Sequence, residues 1–491
     1  MKFLHASMLV AIFMLLGRLT GFLREIVIAQ IGGVSQQSDF MIVLLTFPDM
    51  MINLLMAGGL LAALVPSFRS LSRKVSFALF LRVFLVIGLI FGALALMISL
   101  FSSVVLSIVA PGWSEELIAQ STPLFRITLI ALPVTALSGV VVAFLDSKER
   151  FAFGGMGTLI FNSSVISAIF IFSSFSPAIA VVIGILGGAM LRLAVQLGAS
   201  RRFWELPNFT ETYDRSGLLR RFAGSFGFFS ILALLPPLAR AYASLIEPGA
   251  LSMFNYAYKL MELPMAIIVT AIVTVLLPRL SGFVRDGQQD HASRNLGMAL
   301  RAVYILLLGV AIPTVFQAEF VVRTVFFGAL FSTEQFRELG EIVSLGFVGV
   351  PFQGLVLLYG TAFVSYDRTA PLVLVSAVIV ATMAGTGLFF QSIWGIKGLM
   401  LGYILAQITG AIILSIWLIS ITSARPFISA LDRPLFSIIL PGAVCLALSW
   451  IFRWLDFWGL PSLLLSSGAF FAIHIWADPY LFNSLINRKK T

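Results

Sequence analysis

Ionisable side chains recur inside apolar stretches of this chain: Arg18, Arg24, Arg126, Arg192, Arg240 and Lys259 are cationic, and Glu25, Asp39, Asp49 and Glu262 are acidic. An ionised group at the centre of a bilayer costs roughly 2.5–3.5 kcal/mol on insertion scales, so such residues face a partner or a cavity. The excess of cations suits an anionic ligand, and the planar arginine fork suits phosphate best. A phosphate-bearing lipid or nucleotide is therefore the first ligand class to expect.

Three clusters carry most of this chemistry. Arg18 and Arg24 stand beside Gly17 and Gly21, small residues that permit close helix approach. Six residues of separation turns the two arginines about 120° apart on an ideal helix, so a shared target needs a bend or long side-chain reach. Arg24 could instead pair with Glu25 or Asp39, and Arg18 could snorkel. Asp49 follows Pro48 and precedes Asn53 and Ala57-Gly58-Gly59, the pattern of a broken or closely packed helix such as lines a cavity. Lys259 and Glu262 are i, i+3 neighbours, and Pro264 after them frees a carbonyl and kinks the helix. That pair either neutralises itself or lends positive charge to a cleft.

Other chemistries find no residues to carry them. There is no Gly-Lys-Ser/Thr for a phosphate loop, and His5, His291 and His474 show no metal-ligand spacing. No nucleophile with its base stands out, so an enzyme is disfavoured. No cofactor or metal is expected, and energy must come from a coupling ion, the membrane potential or the substrate. The single cysteine, Cys445, excludes an intramolecular disulfide.

The elements that must position these residues follow from composition. Of 491 residues, 59% are hydrophobic and only 11% charged, against about 25% charged in soluble domains. Apolar stretches recur from Met8 almost to Pro479, and runs such as Val83 to Leu100 lack the alternation of a barrel strand. The chain is read as an all-α polytopic membrane protein with about 14 transmembrane helices. Among these are the first helix near 8–31, the second near 40–68, the eighth near 250–281, and the last two near 434–453 and 460–477. The stretch Pro111 to Ser121, with Glu115 and Glu116, is expected as an outward loop. Basic residues such as Arg69, Arg73, Lys74, Arg201 and Arg202 crowd the even-numbered connections, and the odd ones hold few, among them Arg337 and Lys397. This bias accounts for the net charge of +10 without nucleic acid, and places both termini in the cytoplasm.

A repeat is legible as well. Arg24, Gly33 and Pro48 match Arg240, Gly249 and Pro264 at one offset of 216 residues, and Pro66 matches Pro278 at 212. Such a repeat relates helices 1–6 to helices 7–12 as parallel halves, the architecture of an alternating-access transporter. The expected divisions are 1–216, 217–424, and 425–491 with the last two helices and the C-terminal tail.

Gly17-Arg18-Leu19-Thr20-Gly21-Phe22-Leu23-Arg24-Glu25, Ser38-Asp39-Phe40, Phe47-Pro48-Asp49 and Ala63-Leu64-Val65-Pro66 resemble the opening of the MurJ (MviN) lipid II flippases. Lys259-Leu260-Met261-Glu262-Leu263-Pro264 with Leu276-Leu277-Pro278 resembles their eighth helix. The resemblance implies the fold of the multidrug/oligosaccharidyl-lipid/polysaccharide (MOP) exporter superfamily: two six-helix lobes plus two helices that form a groove for a polyprenyl tail. It implies translocation of lipid II, the lipid-linked peptidoglycan precursor, from the inner to the outer leaflet of the bacterial cytoplasmic membrane. Membrane lipids, cell-wall synthesis proteins and division proteins are the expected neighbours. Carried over by position, Arg18, Arg24 and Lys259 are substrate-binding residues, and Asp39, Asp49, Glu262, Glu25 and Asn53 are cavity or charge-coupling residues. The chain departs from the family at Lys259, usually arginine, at Ile52 and Asn53, where basic residues are common, and at Ala57 and Tyr258, where acids are common. Relatives that flip other polyprenyl-pyrophosphate-linked polysaccharides, and cation-coupled drug exporters of the superfamily, remain the alternatives.

Overall fold

The computed structural model describes residues 2–56, 59–209, 228, 230–368, 370–422, 436–454 and 459–477, and no strand occurs among them. In chain order the helices are α1 (Lys2–Gly32), α2 (Gln36–Met56), α3 (Gly59–Ser70), α4 (Arg73–Leu100), α5 (Ser102–Val109) and α6 (Glu115–Thr128). Next come α7 (Ala131–Ser147), α8 (Ala152–Phe172), α9 (Pro177–Ser200), α10 (Leu235–Ala243), α11 (Ala250–Pro264) and α12 (Thr270–Arg285). The last are α13 (Gln289–Phe316), α14 (Ala318–Val325), α15 (Thr333–Ser365), α16 (Ala370–Thr422), α17 (Phe436–Trp454) and α18 (Leu460–Ala477).

Eight of the described helical stretches are long and apolar enough to cross a membrane. On α4 the apolar face left outside the core is extensive, with Leu85, Leu89, Leu96 and Leu100 each more than 60% exposed. A face of that kind needs lipid against it. The protein is a multi-pass membrane protein.

The chain forms two compact units, one of residues 1–255 with 328–331, the other of 256–327 with 332–491. The division expected at residue 216 falls among residues outside the described set. In the first unit an aromatic core ties α3, α4 and α7 together: Phe80 packs on Phe144 at 4.6 Å between ring centroids, and Phe68 meets Phe144 edge-on at 5.6 Å. Small residues bring α8 against α9. A Cβ at Gly184 would lie 2.5 Å from the Val165 backbone, and one at Gly188 2.9 Å from the Phe161 carbonyl. Only glycines allow the two helices to approach so closely.

One correction concerns an element read from sequence. The expected outward loop around Glu115 and Glu116 is the first turn of α6, with the Ser114 hydroxyl accepting from the Leu117 N–H at 3.3 Å. Acids suit that turn because they offset the positive end of the helix dipole. The first helix is continuous: α1 runs 31 residues without interruption.

The proposed repeat has a backbone counterpart. Gly33, between α1 and α2, and Gly249, just before α11, both adopt left-handed conformations, with φ of +62° and +95°. A side chain would be strained at either position.

In the second unit, α11 ends at Pro264 and a π-helical turn, Met265–Val269, leads into α12. The missing N–H and the ring of proline disrupt the regular hydrogen-bond ladder there. α16 spans 53 residues but turns sharply at Trp394 and Gly395, so it comprises two helices. α17 and α18 pack on α13 through Ile305, Cys445 and Phe470. Cys445 is fully buried there.

Candidate functional site

The first unit holds a connected network of charges. Arg24 on α1 is 2% exposed. Its Nη1 donates to Asp49 Oδ1 at 3.0 Å and its Nη2 to Asp49 Oδ2 at 2.6 Å, a two-pronged bond from α1 to α2. Nη2 also donates to Glu25 at 2.8 Å, and Nη1 to Asn162 Oδ1 on α8 at 2.9 Å. Asn162 in turn donates to the Gly17 carbonyl at 3.2 Å, fixing α8 to α1. The other Glu25 oxygen accepts from Asn255 Nδ2 at 2.8 Å, and Asn255 Oδ1 accepts from Arg240 at 3.4 Å. Two arginines and two carboxylates thus balance inside the first unit, as buried charges require.

Asp39, early in α2, serves a different partner from the one the sequence suggested. It is 1% exposed, and instead of Arg24 it accepts from the backbone N–H groups of Gly249 and Ser252, both at 2.7 Å. Ser252 lies in the first turn of α11 and Gly249 just before it, where N–H groups have no partner within the helix. A carboxylate there also meets the positive end of the helix dipole. Asp39 is therefore a cap supplied by one helix to another 210 residues away in sequence.

In the second unit, Lys259 Nζ pairs with Glu262 Oε2 at 2.9 Å, as their spacing predicts. The pair is open to its surroundings, with side chains 19% and 34% exposed. The ammonium also lies 5.9 Å from the Tyr258 ring centroid, and Tyr258 packs edge-on against Tyr403 at 6.0 Å. Gln353 Nε2 donates to the Tyr403 hydroxyl at 3.3 Å. Cation, acid, phenols and amide together form a polar patch on otherwise apolar helices.

The protein-family model described as lipid II flippase MurJ matches residues 28–465. The chain belongs to the lipid II flippase MurJ family. A lipid II flippase MurJ of Burkholderia cenocepacia is 26% identical over 422 residues, covering 82% of this chain and 81% of that protein. A solved structure described as lipid II flippase MurJ in an inward closed conformation is 18% identical, with a TM-score of 0.79, and covers 98% of this chain and 100% of that one. An inward-facing multidrug resistance MATE family transporter of the MOP superfamily gives a TM-score of 0.71 at 12% identity, over 83% of this chain and 95% of that one. The fold is that of the MOP superfamily, as the MurJ resemblance implied.

Within this MurJ-family chain the expected site residues separate into four environments. Arg24, Glu25 and Asp49 come together in one network, balanced by Arg240 through Asn255, and Asp39 caps α11. Lys259 and Glu262 form their own pair. Arg18 is exposed and has no ion pair among the described residues. Asn53 lies on α2, but its side chain is outside the described residues. Asn162 and Asn255, which complete the Arg24 and Glu25 network, were missed from sequence. Their signal was faint: an isolated amide in an apolar helix is a polar group needing a partner.

Proposed function

We propose that this MurJ-family chain is a lipid II flippase. It moves the lipid-linked peptidoglycan precursor from the cytoplasmic to the periplasmic leaflet of the bacterial cytoplasmic membrane, with both termini cytoplasmic. The match of the MurJ family model to residues 28–465 carries this reading. It transports its substrate and performs no covalent chemistry on it.

Arg18, Arg24 and Lys259 contribute the positive charge that binds the pyrophosphate, and Lys259 does so as a point charge where guanidinium would give a fork. In the unloaded protein the cations are held by acids: Arg24 by Asp49 and Glu25, Lys259 by Glu262. Loading exchanges carboxylate for phosphate on the same donors, so Arg24 and Lys259 keep an anionic partner in both states. Asp39 stabilises the state in which α2 and the start of α11 are joined, and access alternates when that cap is released. A coupling ion or the membrane potential supplies the energy.

The test is the fraction of lipid II exposed on the outer leaflet of intact cells, read with a periplasm-restricted enzyme that cleaves it, before and after depletion of this protein. The exposed fraction is expected to collapse while total lipid II rises. Unchanged exposure would overturn the reading and assign the cations to another anionic lipid.

A further inference from the structure

We propose that the interior of the first unit binds a small monovalent anion of the halide class, held by Arg192 on α9 and the hydroxyl of Thr135 on α7. Arg192 is 1% exposed, and its Nε and Nη1 donors have no hydrogen-bond partner among the described residues. A guanidinium stays protonated in proteins, so this is a full positive charge inside a membrane-spanning helix. Of the helices packed on α9, α7 and α8 carry a single carboxylate, Asp146, α2 carries Asp39 and Asp49, which are bonded to the α11 backbone and to Arg24, and α6 carries Glu115 and Glu116 in its exposed first turn.

Helix register locates the second group. α7 and α9 run in the same direction, because α8 lies between them with short connections at both ends. The Ser138 hydroxyl on α7 donates to Gln196 Oε1 on α9 at 2.5 Å, which sets the level of one helix against the other. One turn earlier on each helix stand Thr135 and Arg192. Thr135 Oγ1 is also buried and without a partner. Asp146 lies eleven residues further along α7 than Thr135, about 16 Å at 1.5 Å per residue, and is out of reach. Gln196 is already committed, since its Nε2 donates to the Phe153 carbonyl at 3.2 Å.

A further wall is α8. A Cβ at Gly157 would lie 2.8 Å from Arg192 Nε, so the guanidinium rests directly on that backbone. Two N–H donors of a permanent cation and a hydroxyl donor, enclosed by packed helices, require one negative charge. The close approach of α8 to α9 favours a compact halide over a tetrahedral oxyanion.

Purified full-length protein in detergent tests this by melting in sodium chloride against sodium gluconate at constant ionic strength. A saturable rise in Tm of about 2–5 °C is expected at chloride about 100 times its half-saturating concentration. Bromide should reproduce the rise and sulfate should not. Arg192→Gln should abolish it, Thr135→Val should raise the half-saturating concentration, and Arg18→Gln should leave it intact. A rise retained in Arg192→Gln but lost in Arg18→Gln would place the anion at the exposed cation and overturn the proposal, as would no rise in the parent protein. Should Arg192→Gln fail to fold, anomalous scattering from bromide-soaked crystals of the parent decides: a peak within hydrogen-bond distance of Arg192 supports the site, and no peak there refutes it.

Discussion

Arg24 shares its guanidinium among Asp49, Glu25 and Asn162, so replacing it removes more than a ligand for phosphate. Arg24→Ala leaves Glu25 and Asp49 with only Arg240, reached through Asn255, to offset their charge. Removing one partner of a buried pair costs about 3–5 kcal/mol. Thermal melting of the purified variant should show that loss, whereas Asp49→Asn, at a carboxylate 20% exposed, should melt closer to the parent. If Arg24→Ala melts like the parent, the network bears no structural load and the arginine acts on substrate alone. The ions of this network were legible in the sequence because charge inside an apolar run is rare and expensive. Its geometry was not. Asn162 reaches Arg24 across 138 residues and Asn255 reaches Glu25 across 230, and no local spacing rule connects helices so distant in the chain. The same limit explains Asp39, whose charge was visible but whose partners are backbone groups that every residue carries.

Helices turned out to be readable where a residue forces the backbone and less so where packing does. Pro264 ends α11 in a π-helical turn, and Gly33 and Gly249 hold left-handed conformations, each at a position marked by the 216-residue offset. The start of α6 was misread because two glutamates resembled a loop, although a serine cap followed by acids is a helix start. The cap that Asp39 places on α11 gives a prediction at this scale. Asp39→Ala removes both acceptors from Gly249 and Ser252 and frees the α1–α2 turn from the start of α11. A cysteine reporter follows that release: in a Cys445→Ser background, Val34→Cys sits where a Cβ on Gly249 would meet the Val34 side chain at 2.9 Å. Labelling by a membrane-impermeant maleimide from the periplasmic side should be faster in the Asp39→Ala variant than in its Asp39 parent. Equal rates would mean that the cap does not govern access. Asp39→Asn should fall between, because one carbonyl oxygen replaces two carboxylate oxygens.

The charge ledger of the whole molecule bears on what drives it. Arg24 and Arg240 are balanced by Glu25 and Asp49, and Lys259 by Glu262, so these groups carry little net charge through the unloaded return. The loaded step is different, because the proposed substrate brings a pyrophosphate with about two negative charges. Each charge crossing the full potential is worth about 2.3 kcal/mol per 100 mV. A membrane negative inside therefore favours outward movement of such a headgroup by up to about 4–5 kcal/mol at 100 mV, less whatever fraction Arg18 and Lys259 offset by moving with it. Reconstituted in vesicles with a potassium gradient and valinomycin, the protein should flip lipid II faster when the potential is negative on the substrate side. Reversing the gradient should slow it, and dissipating the potential should give an intermediate rate. Identical rates under both polarities would show that the cations travel with the phosphates as a neutral unit, and the drive would then have to come from an ion gradient.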